Sequence, residues 1–216
     1  NAMLVRREGA SEWTQLLESF VHTLNYPIKA VISDGDRPIA LAIQTVLPHV
    51  PHQICVRHFE QEMFRFLRYR PHRPAVDLKR TNLFMRYLHH VLYAPNLYDY
   101  RFALDFLCFH RLFQHADFRD ALLKLRRAYS SLTPHFSDRN IPRTSNIVEN
   151  VFSQLDSKYN PMAKFSSHES AWNTTKLLLS WYRFKPFSSC RRRHVLNNGK
   201  SPLQLAGISI PDNLWI

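Results

Sequence analysis

Two acidic residues in this sequence stand where carboxylates can do metal chemistry. Asp34 closes the apolar run Ile28-Lys29-Ala30-Val31-Ile32-Ser33, and Asp36 follows it across Gly35. A carboxylate at the carboxyl end of a strand lies where open α/β sheets place their ligands, and its oxygen suits a hard divalent cation such as Mg2+. An Asp-Gly pair after a strand also makes a turn closed by the aspartate's own side chain, and the local sequence is compatible with both uses. Glu149 lies three residues after Asn146 in Arg143-Thr144-Ser145-Asn146-Ile147-Val148-Glu149-Asn150. That spacing fits an N-cap at Asn146 with Glu149 in the reciprocal capping position, and it equally fits an acid displayed at a helix start. A third group, Cys55-Val56-Arg57-His58, sets a thiol and an imidazole three residues apart, with His52 nearby. Zinc would need a fourth ligand, and a Cys/His nucleophile pair would need a third group to orient it; neither is evident. The expectation is Cys55 packed in a core and His58 hydrogen-bonded locally.

The elements that must hold these residues follow from apolar spacing. Trp13, Leu16, Leu17, Phe20, Val21 and Leu24 recur at helical intervals after Ser11, a possible cap, and Asn25-Tyr26-Pro27 stops them. The run 28–33 reads as a short buried strand. Ile39, Ala40, Ile43, Val46 and Leu47 form a helix opened by Pro38, and Gln53-Ile54-Cys55-Val56 reads as a second strand. A crossover of this length makes the two strands parallel. From Phe59 to about Tyr129 the pattern is helical in four stripes. One of them, Phe102 to Leu112, is apolar nearly all round and is expected to be buried, its aromatics belonging to the core. A loop is expected over 133–143, then helices from about Asn146 to Lys158 and from about His168 to Phe184.

Charge points to a polyanion. Lys and Arg number 29 against 17 Asp and Glu, a net charge of +12, and each cation set near a phosphate releases a condensed counterion. Arg68, Arg70, Arg73, Lys79 and Arg80 cluster at the entry of the helical stretch, Arg126 and Arg127 line a later helix, and Arg191, Arg192 and Arg193 open the tail. Such patches would contact DNA phosphates without reading sequence. The three cysteines, Cys55, Cys108 and Cys190, are odd in number and widely spread, which argues against a disulfide framework and for a reducing compartment. No apolar run is long enough to span a bilayer, so no membrane partner is expected. The opening Asn1-Ala2-Met3 reads as a cleaved-tag remnant.

Taken in order, Val31-Ile32-Ser33-Asp34-Gly35, Cys55-x-x-His58, a helical stretch and Thr144-Ser145-Asn146-x-x-Glu149 resemble the DDE transposases of the Mutator-like superfamily and their bacterial insertion-sequence relatives. Glu12-Trp13-x-x-Leu16-Leu17 and Ser201-Pro202-Leu203-x-x-Ala206-Gly207 are similar to the same family, so the resemblance runs from Arg6 to Gly207. It implies that Asp34 and Glu149 are the second and third acids of a metal-binding, catalytic triad holding Mg2+ or Mn2+. Cys55, His58 and Asn146 would be signature positions that support the site. In a complete enzyme of this kind three carboxylates hold two metal ions ~3.5–4 Å apart for phosphodiester cleavage and strand transfer. The family's first Asp has no counterpart here, since no Asp precedes Asp34. Asp36 shares a tight turn with Asp34 and cannot stand on a neighbouring strand.

The fold expected is α/β and predominantly helical: a partial RNase H-like core over 4–58 and 143–186, a large all-α insertion over 59–142, and a basic irregular tail over 187–216. The function expected is that of a transposase fragment, weak or inactive alone for want of the first Asp, or else a non-catalytic DNA-binding or assembly module of transposase descent. Missing strands would leave a sheet edge bare, and bare edges invite pairing, so a homo-oligomer or a full-length transposase is expected as partner beside DNA. The expected location is the cytoplasm, at the nucleoid if the source is prokaryotic.

Overall fold

A computed structural model describes residues 8–69, 74–159 and 165–210. The chain divides into two compact units, Asn1–Asn146 and Ile147–Ile216. Helix takes 66% of the described residues and strand 4%, so the α/β character rests on one small sheet.

In the first unit, α1 (Ala10–Glu18) runs on through a π turn (Ser19–Thr23). Gly9, two residues earlier than Ser11, is its N-cap; the Ser11 hydroxyl instead donates to Glu12. β1 (Val31–Ser33), α2 (Arg37–Val46) and β2 (His52–Ile54) follow, and the strands pair in parallel with Val31 opposite His52 and Ser33 opposite Ile54. Both strands are shorter than their apolar runs. The ladder ends where β2 has no residue to offer, so Ile28 packs instead against the cluster formed by Leu17, Ala42, Ile43 and Leu47. Pro38 sits in the first turn of α2, where a missing N–H costs nothing.

The helical stretch then builds a second core. α3 (Val56–Arg68), α4 (Leu78–Leu92), α5 (Leu97–Phe109) and α6 (Ala116–Arg127) surround Met63, Leu67, Phe84, Leu88, Phe113 and Phe118, all fully buried. Asp77 caps α4 by accepting from the amides of Lys79 and Arg80, and Asn96 caps α5 from Asp99. Two short helices follow, α7 (Tyr129–Leu132) and α8 (Pro134–Ser137), and the second lies within the stretch expected as a loop, 133–143. α5 departs from expectation. Only Tyr100, Leu104, Leu107 and Cys108 are buried, while Phe102 is 68% and Phe109 72% exposed. Helical spacing shows how many apolar residues a helix carries; it does not show whether neighbours cover every side. Here α4 takes one face, and the other is left largely exposed, with Arg126 standing over the Phe109 ring.

In the second unit, α9 (Asn146–Tyr159) continues from the last residue of the first, and α10 (His168–Phe184) begins at Ser167, whose side chain accepts from Ser170. The Tyr159 and Thr175 hydroxyls are hydrogen-bonded. Within 187–216, a 3-10 turn (Arg192–Asn197) and α11 (Pro202–Leu205) are ordered, the latter by a reciprocal capping box between Ser201 and Gln204.

Candidate functional site

The parallel ladder of β1 and β2 sets the residues following each strand side by side. Asp34 follows β1 and is exposed. Its Oδ1 accepts from the Asp36 amide at 3.2 Å, so the aspartate closes its own turn with one oxygen. Gly35 makes that turn possible. Its φ is +87°, and a Cβ there would meet the Ile54 side chain of β2 at 3.2–3.3 Å. Ser33, buried beneath the turn, accepts from the Gly35 amide at 3.1 Å and lies 2.8 Å from His52 Nε2. Burial lowers the His52 pKa, which favours the neutral ring that can accept from the Ser33 hydroxyl. Asp36 is pushed the other way, its pKa raised first by the charge of Asp34 and then by burial and by Glu8 and Glu62. The turn thus concentrates negative charge at the end of a strand, where a hard cation would be attracted.

Cys55 follows β2 and is fully buried, as expected of a packed thiol. Its Sγ accepts from the Ser145 amide at 3.4 Å, and the Ser145 hydroxyl lies 3.4 Å from His58 Nδ1. The Val56 amide donates to the Arg143 carbonyl at 3.2 Å, and Arg143 in turn donates to the Ala94 carbonyl at 3.1 Å. The segment that enters the helical stretch and the segment that leaves it are therefore tied together at the end of β2. Asn146 comes next and is exposed as the first residue of α9, where the sequence read it as the cap before the helix. Glu149 is half-buried in the first turn of α9, a position where the helix dipole favours an anion. Phe152, Ser153 and Asp156 follow on its side of the helix at helical spacing.

One buried pair went unread. Gln53, within β2 and fully buried, accepts through Oε1 from both the backbone N–H of His135, 3.2 Å, and its Nδ1, 3.0 Å. It donates back to the Ile54 carbonyl at 2.7 Å. With Nδ1 donating, His135 Nε2 is an acceptor, and it is buried with no partner among the described residues. Burial first, and then Arg143, lowers the His135 pKa to about 4. The one signal for this pair was a glutamine inside an apolar strand run, which must find a partner if buried.

The cationic candidates divide. Arg68 donates to the Val76 carbonyl at 2.7 Å, and Arg80 pairs with Asp117 at 3.1 Å with its guanidinium over the Phe118 ring. Lys79, Arg127 and Arg191 are exposed, as is Arg126, which lies over the Phe109 ring. Arg192 and Arg193 begin the 3-10 turn of the tail. Arg70 and Arg73 lie outside the described residues.

The family model described as "Transposase, Mutator family" matches residues 2–182. The chain belongs to the Mutator transposase family. That match spans both strand ends, the whole helical stretch, α9 and all but the last two residues of α10. No curated protein and no solved structure matches the chain. Membership supports a role in transposition and, with it, DNA as the partner and a divalent metal as cofactor. No helix among the described residues of this Mutator-family chain is long and apolar enough to cross a membrane.

Proposed function

We propose that this chain carries the second and third acidic positions of a DDE transposase within a partial RNase H-like core, interrupted by the helices over 59–142. The observation that carries the reading is the tie at the end of β2. Ser145, which precedes the helix bearing Glu149, is bonded to Cys55 and His58, and β2 is the ladder partner of the strand that ends at Asp34. Membership of the Mutator transposase family over residues 2–182 supports the same reading.

In that role Asp34 and Glu149 would hold Mg2+ or Mn2+. The residues present fit such an ion. Asp34 offers exposed carboxylate oxygen, and the raised pKa of Asp36 reports a local excess of negative charge that a cation would neutralise. When bound, the ion supplies Lewis acidity at the scissile phosphate. Cys55 and His58 position the returning segment through Ser145, with no part in bond cleavage. Ser33 and Gly35 hold the turn that displays Asp34. Lys79, Arg126, Arg127 and Arg191 would meet DNA phosphates.

A second reading is favoured by one observation: Lys and Arg outnumber Asp and Glu by 29 to 17. A chain so basic would work as a DNA-binding or assembly module, alone or joined to a second copy or a full-length transposase across the short sheet's edge. Duplex DNA incubated with Mg2+ or Mn2+ decides between the two. Cleavage by the chain, abolished in Asp34→Ala and in Glu149→Ala, is the result expected of a surviving site. Binding without cleavage would establish the module, and absence of both would overturn the transposase reading for this chain. A strictly monomeric chain by light scattering would remove the assembly role.

A further inference from the structure

The outer face of α5 carries a row of exposed aromatic rings. Tyr98 is 78%, Phe102 68% and Phe109 72% exposed, and Phe106 beside them is 44% exposed. Positions 98, 102, 106 and 109 fall on one helical stripe, about 16 Å long at ~1.5 Å per residue. Contiguous exposed apolar surface of this kind marks a binding site, because leaving it in water forgoes the stabilisation that burial would bring.

Its composition says what binds. The exposed side chains are rings. Phe106 is braced from beneath by Tyr87, at 5.4 Å between ring centroids, so the stripe is held and not loose. Arg126 of α6 stands over the Phe109 ring at 5.9 Å. Arg119, Arg126 and Phe109 line one recess between α5 and α6, together with Leu123. Flat π-faces interleaved with guanidinium groups match a single nucleic-acid strand, whose bases stack on rings while its phosphates meet arginine. Asp105 is exposed on the same stripe, so a strand laid on the rings would turn its phosphates to the α6 side, where Arg119 and Arg126 stand, and a second copy of the face is the rival occupant that the test separates. A duplex is a poor occupant, because its bases are already stacked on one another and unavailable to the rings.

We propose that the α5 face, with Arg119 and Arg126 of α6, is a binding site for unpaired DNA, its bases stacking on Phe102, Phe106 and Phe109. The inference rests on the reading of this chain as a DNA-binding transposase relative and adds to it the strand state that is recognised and the helices that recognise it. At ~3.4 Å per nucleotide the stripe accommodates about four to five bases. A transposition reaction exposes unpaired strand wherever duplex ends are opened, so such a site would hold the strand freed there.

The test is a fluorescence-anisotropy titration of the full chain with a labelled short oligothymidine and, separately, with a labelled duplex. The double variant Phe102→Ala/Phe109→Ala is expected to lose at least roughly tenfold in affinity for oligothymidine, with the dependence on salt unchanged and duplex binding kept. Arg126→Ala is expected to lower the slope of log K against log salt by about 0.7, the value for one phosphate contact to a single strand. Phe109→Tyr keeps the ring and is expected to bind as the unaltered chain does. Both aromatic positions are exposed, so circular dichroism should show the folded helix content retained; if the double variant is unfolded, the Phe109→Tyr and Arg126→Ala comparisons decide. Equal oligothymidine affinity in the double variant overturns the proposal. So does a chain that binds duplex but no single strand, an outcome that leaves the transposase reading standing. Loss of both kinds of binding would overturn that reading as well. Self-association that disappears in the double variant would instead assign the face to a second copy and overturn the DNA site.

Discussion

The two strands of the small sheet are held by different cores. β2 runs into α3, whose Val56, Phe59, Met63 and Leu67 belong to the large cluster around Phe84, Phe113 and Phe118. Gln53 binds it further to α8 through His135. β1 leans on a far smaller cluster, in which Leu17, Ala42, Ile43 and Leu47 are buried and Val31 only partly so. The Cys55 and His58 side of the candidate site is thus built on the larger of the two clusters among the described residues, and Asp34 is displayed from the smaller. Hydrophobic stabilisation follows area removed from water, so the α1–β1–α2 region should open at lower free energy than the helices it sits beside. The acid-bearing turn is joined to the stable part chiefly by the short ladder, by the Cys55 amide donating to the Ser33 carbonyl at 2.7 Å and by the Ser33–His52 hydrogen bond.

The largest effect expected is in the large cluster. Phe84 is fully buried, stacked on Phe118 at 5.1 Å and edge-on to Phe113 at 5.3 Å. Phe84→Ala should cost about 3–5 kcal/mol in chemical denaturation followed by far-ultraviolet circular dichroism. Ile43→Ala should cost less and act locally, raising hydrogen exchange in β1 and α2 while leaving α4 protected. Equal losses, with exchange rising everywhere, would mean that both cores unfold as one.

Acid should strike the β2 side next. His135 has a pKa of about 4 in the folded chain, below its ordinary value of 6.5. The unfolded chain therefore takes up this proton first as pH falls. The stability tied to the neutral ring is whole above pH 6.5, declines between 6.5 and about 4, and is constant below that. The loss amounts to about 3 kcal/mol at ~1.4 kcal/mol per unit. His135→Leu removes the titrating ring and leaves the residue's backbone N–H to bond Gln53, so the difference in stability between pH 7 and pH 4 should shrink by that amount. No change in that difference would show that the ring finds a proton partner when folded.

Gly35→Ala tests the link between the cores. A left-handed φ costs a residue with a Cβ about 1–2 kcal/mol, and the new methyl would press on Ile54. The expected loss of that size should appear in the exchange of β1 and in metal binding at Asp34, with the helical cluster unmoved. A variant with unaltered exchange in β1 would mean that the turn relaxes without strain.

Much of this architecture could be read from residue spacing. The helix expected over 168–184 is His168–Phe184, that expected over 146–158 is Asn146–Tyr159, and the strands are parallel as their crossover length requires. Spacing failed where the answer depends on what lies opposite. Phe102 and Phe109 carry the periodicity of a buried helix, yet neighbours leave most of each in water, and Leu24 ends 48% exposed for the same reason. α8 hid in a stretch of Thr, Pro and Ser because its hold on the fold comes from Gln53, far away in sequence. At the site, the Asp34 and Ser145 motifs were legible, and the bond from Ser145 to Cys55 was not, since a thiol accepting from an amide has no sequence pattern.

The smallest effect lies in the acid-bearing turn itself. The charge of Asp34 is the first cause of the raised pKa of Asp36, ahead of burial and the two glutamates. A folded-state pKa above the ordinary value means a repulsion that is absent at low pH and sets in as pH rises through that pKa. Both carboxylates face water, so screening should hold the cost to a few tenths of a kcal/mol. Asp34→Asn should therefore bring the Asp36 carboxyl back toward its ordinary range in a titration followed by carbon NMR, while adding little to stability. Mg2+ bound by Asp34 would lower the Asp36 pKa in the unaltered chain and do so far less in the variant. A titration indifferent to both would separate the two acids electrically and leave the turn no special attraction for a cation.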